Sequence, residues 1–236
     1  RLEQKVQELI PKLLEYGKSM KLRTFQALIL NPISKKSENM NVLLENLNLI
    51  DDPDSLALIV NKLKENNNPI YKKIFPILMT KIETMNSKDF EENVFKPFFF
   101  TDPLCALSMI ENVNKIQKME SDSTQEDPSS QLTMVQSIII NSYKSPEKDI
   151  REKVPLSIPL LFDSLTPNQK ANSAVLKENI FGPFYENFSS NASKDQEKCI
   201  LQLIKSTPQD SPAVESIVNL TYENCSSNEG IMNEIS

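Results

Sequence analysis

Apolar residues recur at spacings of three and four along the whole chain. Leu56, Ile59, Val60 and Leu63 form one stripe, Ala106, Met109, Ile110, Val113 and Ile116 a second, and Leu132, Val135, Ile138 and Ile139 a third. Such spacing places the apolar side chains on one face of an α-helix. No segment keeps for long the period-two alternation of a half-buried strand. Phe98-Phe99-Phe100 and Ile138-Ile139-Ile140 are short apolar runs, but each lies inside a longer three-and-four pattern and reads as helix. The pattern predicts an all-α fold.

Proline placement predicts where helices begin. In Asp52-Pro53, Asn68-Pro69, Asp102-Pro103, Ser145-Pro146, Thr166-Pro167 and Ser211-Pro212, a side chain able to accept first-turn N–H groups precedes a residue whose missing N–H costs nothing there. Thr166 and Gln169 also have the spacing of a capping box. Residues 120–130, E-S-D-S-T-Q-E-D-P-S-S, are acidic and serine-rich and read as an extended loop, an insertion or a hinge. It divides the chain into N-terminal helical repeats over 1–119 and C-terminal repeats over 131–236.

An internal repeat ties the two stretches together. Residues 92–98 read E-N-V-F-K-P-F and residues 178–184 read E-N-I-F-G-P-F, identical at five of seven positions and offset by 86. Ahead of the first copy stands Ile74-Phe75-Pro76-Ile77-Leu78, and ahead of the second Ser157-Ile158-Pro159-Leu160-Leu161. Further upstream the 56–66 pattern pairs with 132–142, and downstream 103–116 pairs with 194–205. An ordered set of four points to a duplicated unit, and half the offset falls within the length of HEAT and armadillo repeats. Pro11, Pro76, Pro97, Pro159 and Pro183 interrupt helical patterns; each is either a kink or a helix boundary.

The segment Ala213-Val214-Glu215-Ser216-Ile217-Val218-Asn219-Leu220-Thr221-Tyr222-Glu223-Asn224, followed by Asn228-Glu229-Gly230-Ile231, resembles the third helix of an armadillo repeat. Residues 24–31 and 56–61 are weaker echoes. The glycine that separates the first two armadillo helices is missing almost everywhere, which leaves HEAT-like two-helix units open. The resemblance implies a right-handed α-solenoid, an armadillo- or HEAT-like superhelix of about five or six repeats, whose units hide their apolar faces against their neighbours. It also implies a concave face where asparagines hold the main chain of a partner polypeptide, since an amide offers both donor and acceptor. The candidates are Asn61, Asn141 and Asn219, with Asn112 as a less regular fourth and Tyr222 in the same C-terminal motif. Lys62 and Lys144, with Lys64, Lys115 and Lys205, form either a basic strip beside that groove or ordinary solvated helix ends. The bland alternative for the asparagines is helix capping.

Composition removes most chemistries. The 236 residues include no histidine, so a Ser-His-Asp or Cys-His hydrolase and a His-bound metal cannot be built from this chain. The glycines, Gly17, Gly182 and Gly230, fit neither a dinucleotide-binding nor a P-loop motif. With 26 basic against 32 acidic residues, a phosphate-backbone binder is not expected. No apolar run reaches the roughly 18–20 residues of a membrane helix, so no membrane insertion is expected. Cys105, Cys199 and Cys225 are odd in number and far apart, and read as buried spectator thiols. Carboxylate pairs such as Glu91-Glu92 are adjacent on a helix and do not face each other. The repeated aromatics, Phe95, Phe98, Phe99, Phe100, Phe181, Phe184, Tyr185 and Phe188, imply core packing, with one or two left as anchors for a partner. Four N-x-S/T sequons, at Asn187, Asn191, Asn219 and Asn224, arise easily in so Asn- and Ser-rich a chain. The expected home is the cytoplasm or nucleus, or the secretory pathway if those sequons are used. The reading that follows is a noncatalytic adaptor or scaffold for a protein or peptide partner, with no cofactor, metal or nucleic acid. The alternative is a module acting on an ATPase or GTPase, as a nucleotide-exchange co-chaperone or a GTPase-binding armadillo domain.

Overall fold

The computed structural model describes residues 2–17, 20–25, 29–34, 37–121, 132–186, 188 and 192–235, and no strand occurs among them. The predicted all-α class holds. The chain divides into two units, residues 1–98 and 99–236.

The first unit runs through α1 (Leu2–Gly17), α2 (Leu22–Phe25), α3 (Asn31–Ser34), α4 (Ser37–Glu45), α5 (Pro53–Glu65), α6 (Tyr71–Lys81) and α7 (Ser87–Phe90). A π-helical turn, π1 (Glu91–Phe95), and the short α8 (Lys96–Phe98) complete it. Helix α1 packs on α4, and α5 packs on α6 and π1. The stripe Leu56, Ile59, Val60 and Leu63 is fully buried, together with Phe75, Leu78, Phe90, Val94 and Phe98.

The second unit contains α9 (Pro103–Glu111), α10 (Val113–Ser121), α11 (Met134–Tyr143), α12 (Lys148–Arg151), α13 (Val154–Asp163), α14 (Pro167–Lys170) and α15 (Ser173–Val175). These are followed by π2 (Leu176–Phe181), α16 (Gly182–Tyr185), α17 (Lys194–Ser206), α18 (Ala213–Cys225) and α19 (Glu229–Met232). Helix α11 packs on α9, α10, α13 and α16; α13 packs on α17; and α18 covers π2.

Three of the six Pro-marked starts fall where the sequence put them, at Asp52, Asp102 and Thr166. Asp102 Oδ1 accepts from the N–H groups of Leu104 and Cys105, and Thr166 and Gln169 form the full capping box. At Asn68, Ser145 and Ser211 the side chain accepts an N–H two residues on, and the helix begins two or three residues after that side chain. Further capping boxes stand at Thr133 and Ser193. Gln136 and Gln169, the third residues of two boxes, are buried and exchange amide hydrogen bonds of 2.8 and 2.9 Å. That pair joins α11 to α14 with both amides satisfied, which a buried polar pair requires.

Residues 122–131, most of the predicted acidic loop, lie outside the described residues. Glu120 and Ser121 are still helical, and the Glu120 carboxylate accepts from the N–H groups of Met134 and Val135 at the start of α11. A carboxylate is favoured there because the first-turn N–H groups have no partner within their own helix.

The duplicated heptapeptides adopt the same rare form. Each is a π-helical turn passing into a short α-helix that contains the proline, Pro97 or Pro183. The i→i−5 bond is visible in both, from Lys96 N–H to Glu91 O and from Gly182 N–H to Lys177 O. Val94 and Ile180, Phe95 and Phe181, and Phe98 and Phe184 are buried in matching order. Pro11, Pro76 and Pro159 lie inside continuous helices rather than at their ends. A Cβ on Gly182 would stand 2.6 Å from Lys177 O, so the second copy needs glycine where the first has Lys96.

In each copy the helix ahead of the motif reaches over its terminal phenylalanine. Lys64 places its ammonium 4.4 Å from the Phe98 ring centroid and donates to Pro97 O. Tyr143 sets its ring 4.8 Å from that of Phe184 and donates to Phe184 O at 2.6 Å. Different residues thus serve one job, satisfying a carbonyl at the proline step while covering the ring.

Candidate functional site

A cleft of about 450 Å³ opens in the second unit between the start of α9 and the end of α11. Asp102 and Pro103 begin α9 on one side; Asn141, Ser142 and Lys144 end α11 on the other; Pro146, Glu147 and Ile150 close it through the following turn and α12. Arg151 fixes that turn by donating to Ser145 O and Pro146 O at 2.8 and 2.7 Å, while its Nε bonds the Asp195 carboxylate at 2.9 Å. Burial pushes the Asp195 carboxyl up, but hydrogen bonds from Ser193 and Arg151 outweigh it and hold the group below its ordinary value.

The cleft carries an aromatic group at its rim and a buried hydroxyl at its wall. Phe100 is 63% exposed although it stacks edge-on against the buried Phe99, with centroids 4.9 Å apart. Leu104, one turn further on, is also exposed. Ser142 is 1% exposed and its Oγ has no hydrogen-bond partner. Lys144 pairs with Glu186 at 2.9 Å, a surface pair of small energetic weight.

The predicted site residues fall into three groups. Asn141 and Lys144 line this cleft together. Asn219 and Tyr222 share an exposed face of α18. Asn61, Lys62 and Asn112 join neither: Asn61 donates to Ala57 O and Asn93 O, Asn112 donates to Ser108 O, and Lys62 pairs with Glu65. Back-bonding to the carbonyl four residues earlier is shared by Asn46, Asn61, Asn112, Asn141 and Asn224. Asn219 forms no such bond among the described residues.

The thiols of Cys105, Cys199 and Cys225 are buried. Burial pushes the Cys225 thiol up to about 11 and the Cys199 thiol higher still, which keeps both protonated and poorly nucleophilic near neutral pH. In the sequon 219–221, Thr221 is buried and its hydroxyl donates to Ile217 O. No group of three or more His, Cys, Asp or Glu placed to hold a metal ion occurs among the described residues. No helix is long and apolar enough to cross a membrane among them.

Sequence reasoning missed Phe100 as the exposed member of its run and missed the orphaned Ser142. The repeat gave a signal for the first. Its second copy has Glu186, a residue seldom buried, at the position of Phe100.

Comparison with known proteins found no matching protein family, no matching curated protein and no matching solved structure.

Proposed function

We propose that this chain is a noncatalytic interaction module, an adaptor or scaffold that holds a segment of a partner polypeptide, and that the cleft beside Phe100 is where the segment lies. The observation carrying this reading is the cleft itself, with an aromatic ring held out at 63% exposure beside the amide of Asn141. An exposed aromatic in the turn leading into a helix is the kind of anchor that supplies most of the energy of a peptide interface. Asn141 donates to Ser137 O at 2.8 Å, which fixes the side chain and leaves its Oδ1 as an acceptor for a main-chain N–H.

The finer architecture belongs to the same proposal. The recurrence of helix, Pro-containing helix and π-turn supports stacked helical repeats, and the right-handed superhelix of about five or six units is the arrangement such stacking favours. A cytoplasmic or nuclear home fits the engaged Thr221 hydroxyl, which a transferase acting on the 219–221 sequon would have to free.

Selection of a displayed random-peptide library on the protein tests the reading. Selected peptides are expected to carry an apolar anchor and to lose about tenfold or more in affinity for Phe100→Ala and Asn141→Ala variants of unchanged helicity. Peptides that bind both variants as tightly as the parent protein would remove the cleft from consideration.

A further inference from the structure

Helices α11 and α18 resemble one another in sequence, in a register distinct from that of the heptapeptides. M-V-Q-S-I-I-I-N-S-Y (134–143) aligns with A-V-E-S-I-V-N-L-T-Y (213–222) at an offset of 79. Val135, Ser137, Ile138 and Tyr143 recur as Val214, Ser216, Ile217 and Tyr222. Gln136, Ile139 and Ser142 have the close relatives Glu215, Val218 and Thr221.

The two helices differ in what covers them. In α11 the face made by Gln136, Ile139, Ile140 and Tyr143 is buried. Gln136 donates to Ser164 O and Gln169, and Tyr143 stacks on Phe184 and donates to its carbonyl. The corresponding residues of α18 are open: Glu215 and Asn219 are exposed, Val218 is half-buried, and Tyr222 is 50% exposed where Tyr143 is 3%. They are spaced by three, four and seven residues, so they share one face. The opposite face of α18 is already taken, since Ser216 donates to Ser173 O and Thr221 bonds Tyr185.

We infer that the Glu215–Val218–Asn219–Tyr222 face of α18 docks a helical segment of another polypeptide that carries a Pro-Phe step, as α16 docks on α11. The contact at Tyr143 defines the chemistry: a phenylalanine ring against the tyrosine ring, and the carbonyl of that phenylalanine accepting the tyrosine hydroxyl. Asn219, which makes no back-bond, offers an amide to the same main chain. Glu215 replaces Gln136 and only accepts hydrogen bonds, so the partner presents an amide N–H or a lysine at that end. This surface is separate from the cleft at Phe100 and stands or falls independently of it.

The chain lacks tryptophan, so Tyr222→Trp creates a unique fluorophore that keeps an aromatic ring and replaces the O–H donor with an indole N–H. The full chain carrying it is titrated with a synthetic peptide of residues 173–186, and with the same peptide bearing alanine at positions 183 and 184. Docking is expected to give a saturating blue shift with the first peptide and none with the second. Adding Val218→Asp, or separately Asn219→Asp, is expected to weaken the response about tenfold, while Leu156→Trp in the parent chain, at an exposed position on neither surface, reports no shift. Equal shifts with both peptides, or none with either, would overturn the inference, the latter because the face is then a solvated cap. A blue shift that grows with protein concentration alone would also overturn it, since a second copy would be the occupant.

Discussion

Tyr185 and Thr221 share a hydroxyl-to-hydroxyl hydrogen bond of 2.9 Å in the core of the second unit; Phe99 stands at the position matching Tyr185 after the first heptapeptide, Ser142 at the position matching Thr221 in α11, and the two line one cleft. The Thr221 hydroxyl already donates to Ile217 O at 2.7 Å, so the tyrosine is the donor. Phe99 has no hydroxyl to give. Ser142 Oγ, buried without a partner, is what that difference leaves behind.

Phe99→Tyr is therefore expected to stabilise the protein by about 1 kcal/mol, the net value of a typical buried hydrogen bond. Urea denaturation checks this. The gain should vanish in a Ser142→Ala background, and Tyr185→Phe should cost about the same amount.

Asn61 links its helix to the first π-turn. Its amide donates to Asn93 O at 2.6 Å, and the residue four beyond Asn93 is Pro97, which has no N–H for that carbonyl. Asn61→Ala is expected to cost about 1–3 kcal/mol, because a part-buried carbonyl is left unsatisfied. Pro97→Ala in the same background should recover part of the loss by restoring an N–H. Thermal melts of the four proteins in that cycle provide the measurement.

Much of this was readable in advance, and the exceptions share a cause. The stripes of α5 and α11 placed two helices within about three residues of their observed ends, because burial follows side-chain spacing, whereas the stripe from Ala106 to Ile116 ran unbroken across α9 and α10, which part at Asn112. Asp52, Asp102 and Thr166 marked starts because capping is a local reaction between a side chain and nearby N–H groups. The π-turns were invisible to periodicity, since one extra residue in a turn barely changes a pattern sampled over seven. The duplicated heptapeptide located them without revealing their form. Asn61 and Asn112 could not be told from groove residues by type, because a back-bonded amide and a ligand-binding amide have the same spelling.

Gly182→Ala tests the second π-turn. Its Cβ would meet Lys177 O at 2.6 Å, and the backbone must move to relieve the contact. A loss of about 1–3 kcal/mol is expected, outweighing the usual helical gain from replacing glycine, by the measure of overpacked sites. Denaturant midpoints of the variant and parent decide it.

Asp54 gives the first unit a pH dependence. Burial, then the charges of Asp52 and Asp89, push its carboxyl up to about 6 from 3.8, and its Oδ1 is buried without a partner. A folded-state value above the unfolded one means that ionisation opposes folding. The penalty is complete above about pH 6, is relieved as pH falls through that value, and is gone below 3.8. The stability difference between parent and Asp54→Asn should therefore change by about 1 kcal/mol between pH 7.5 and 4.5, in favour of the parent at the lower pH. That magnitude allows for solvent screening of a half-exposed group. Chemical denaturation at the two pH values measures it.

A π-turn is an α-helix carrying one surplus residue, which rotates everything beyond it by about 100° relative to what came before. Both halves of this chain carry the surplus at the same place in the same motif. Deleting Glu92 or Glu178 would swing Phe98 or Phe184 a quarter-turn out of its pocket, so the irregularity is what aims each buried ring into the core.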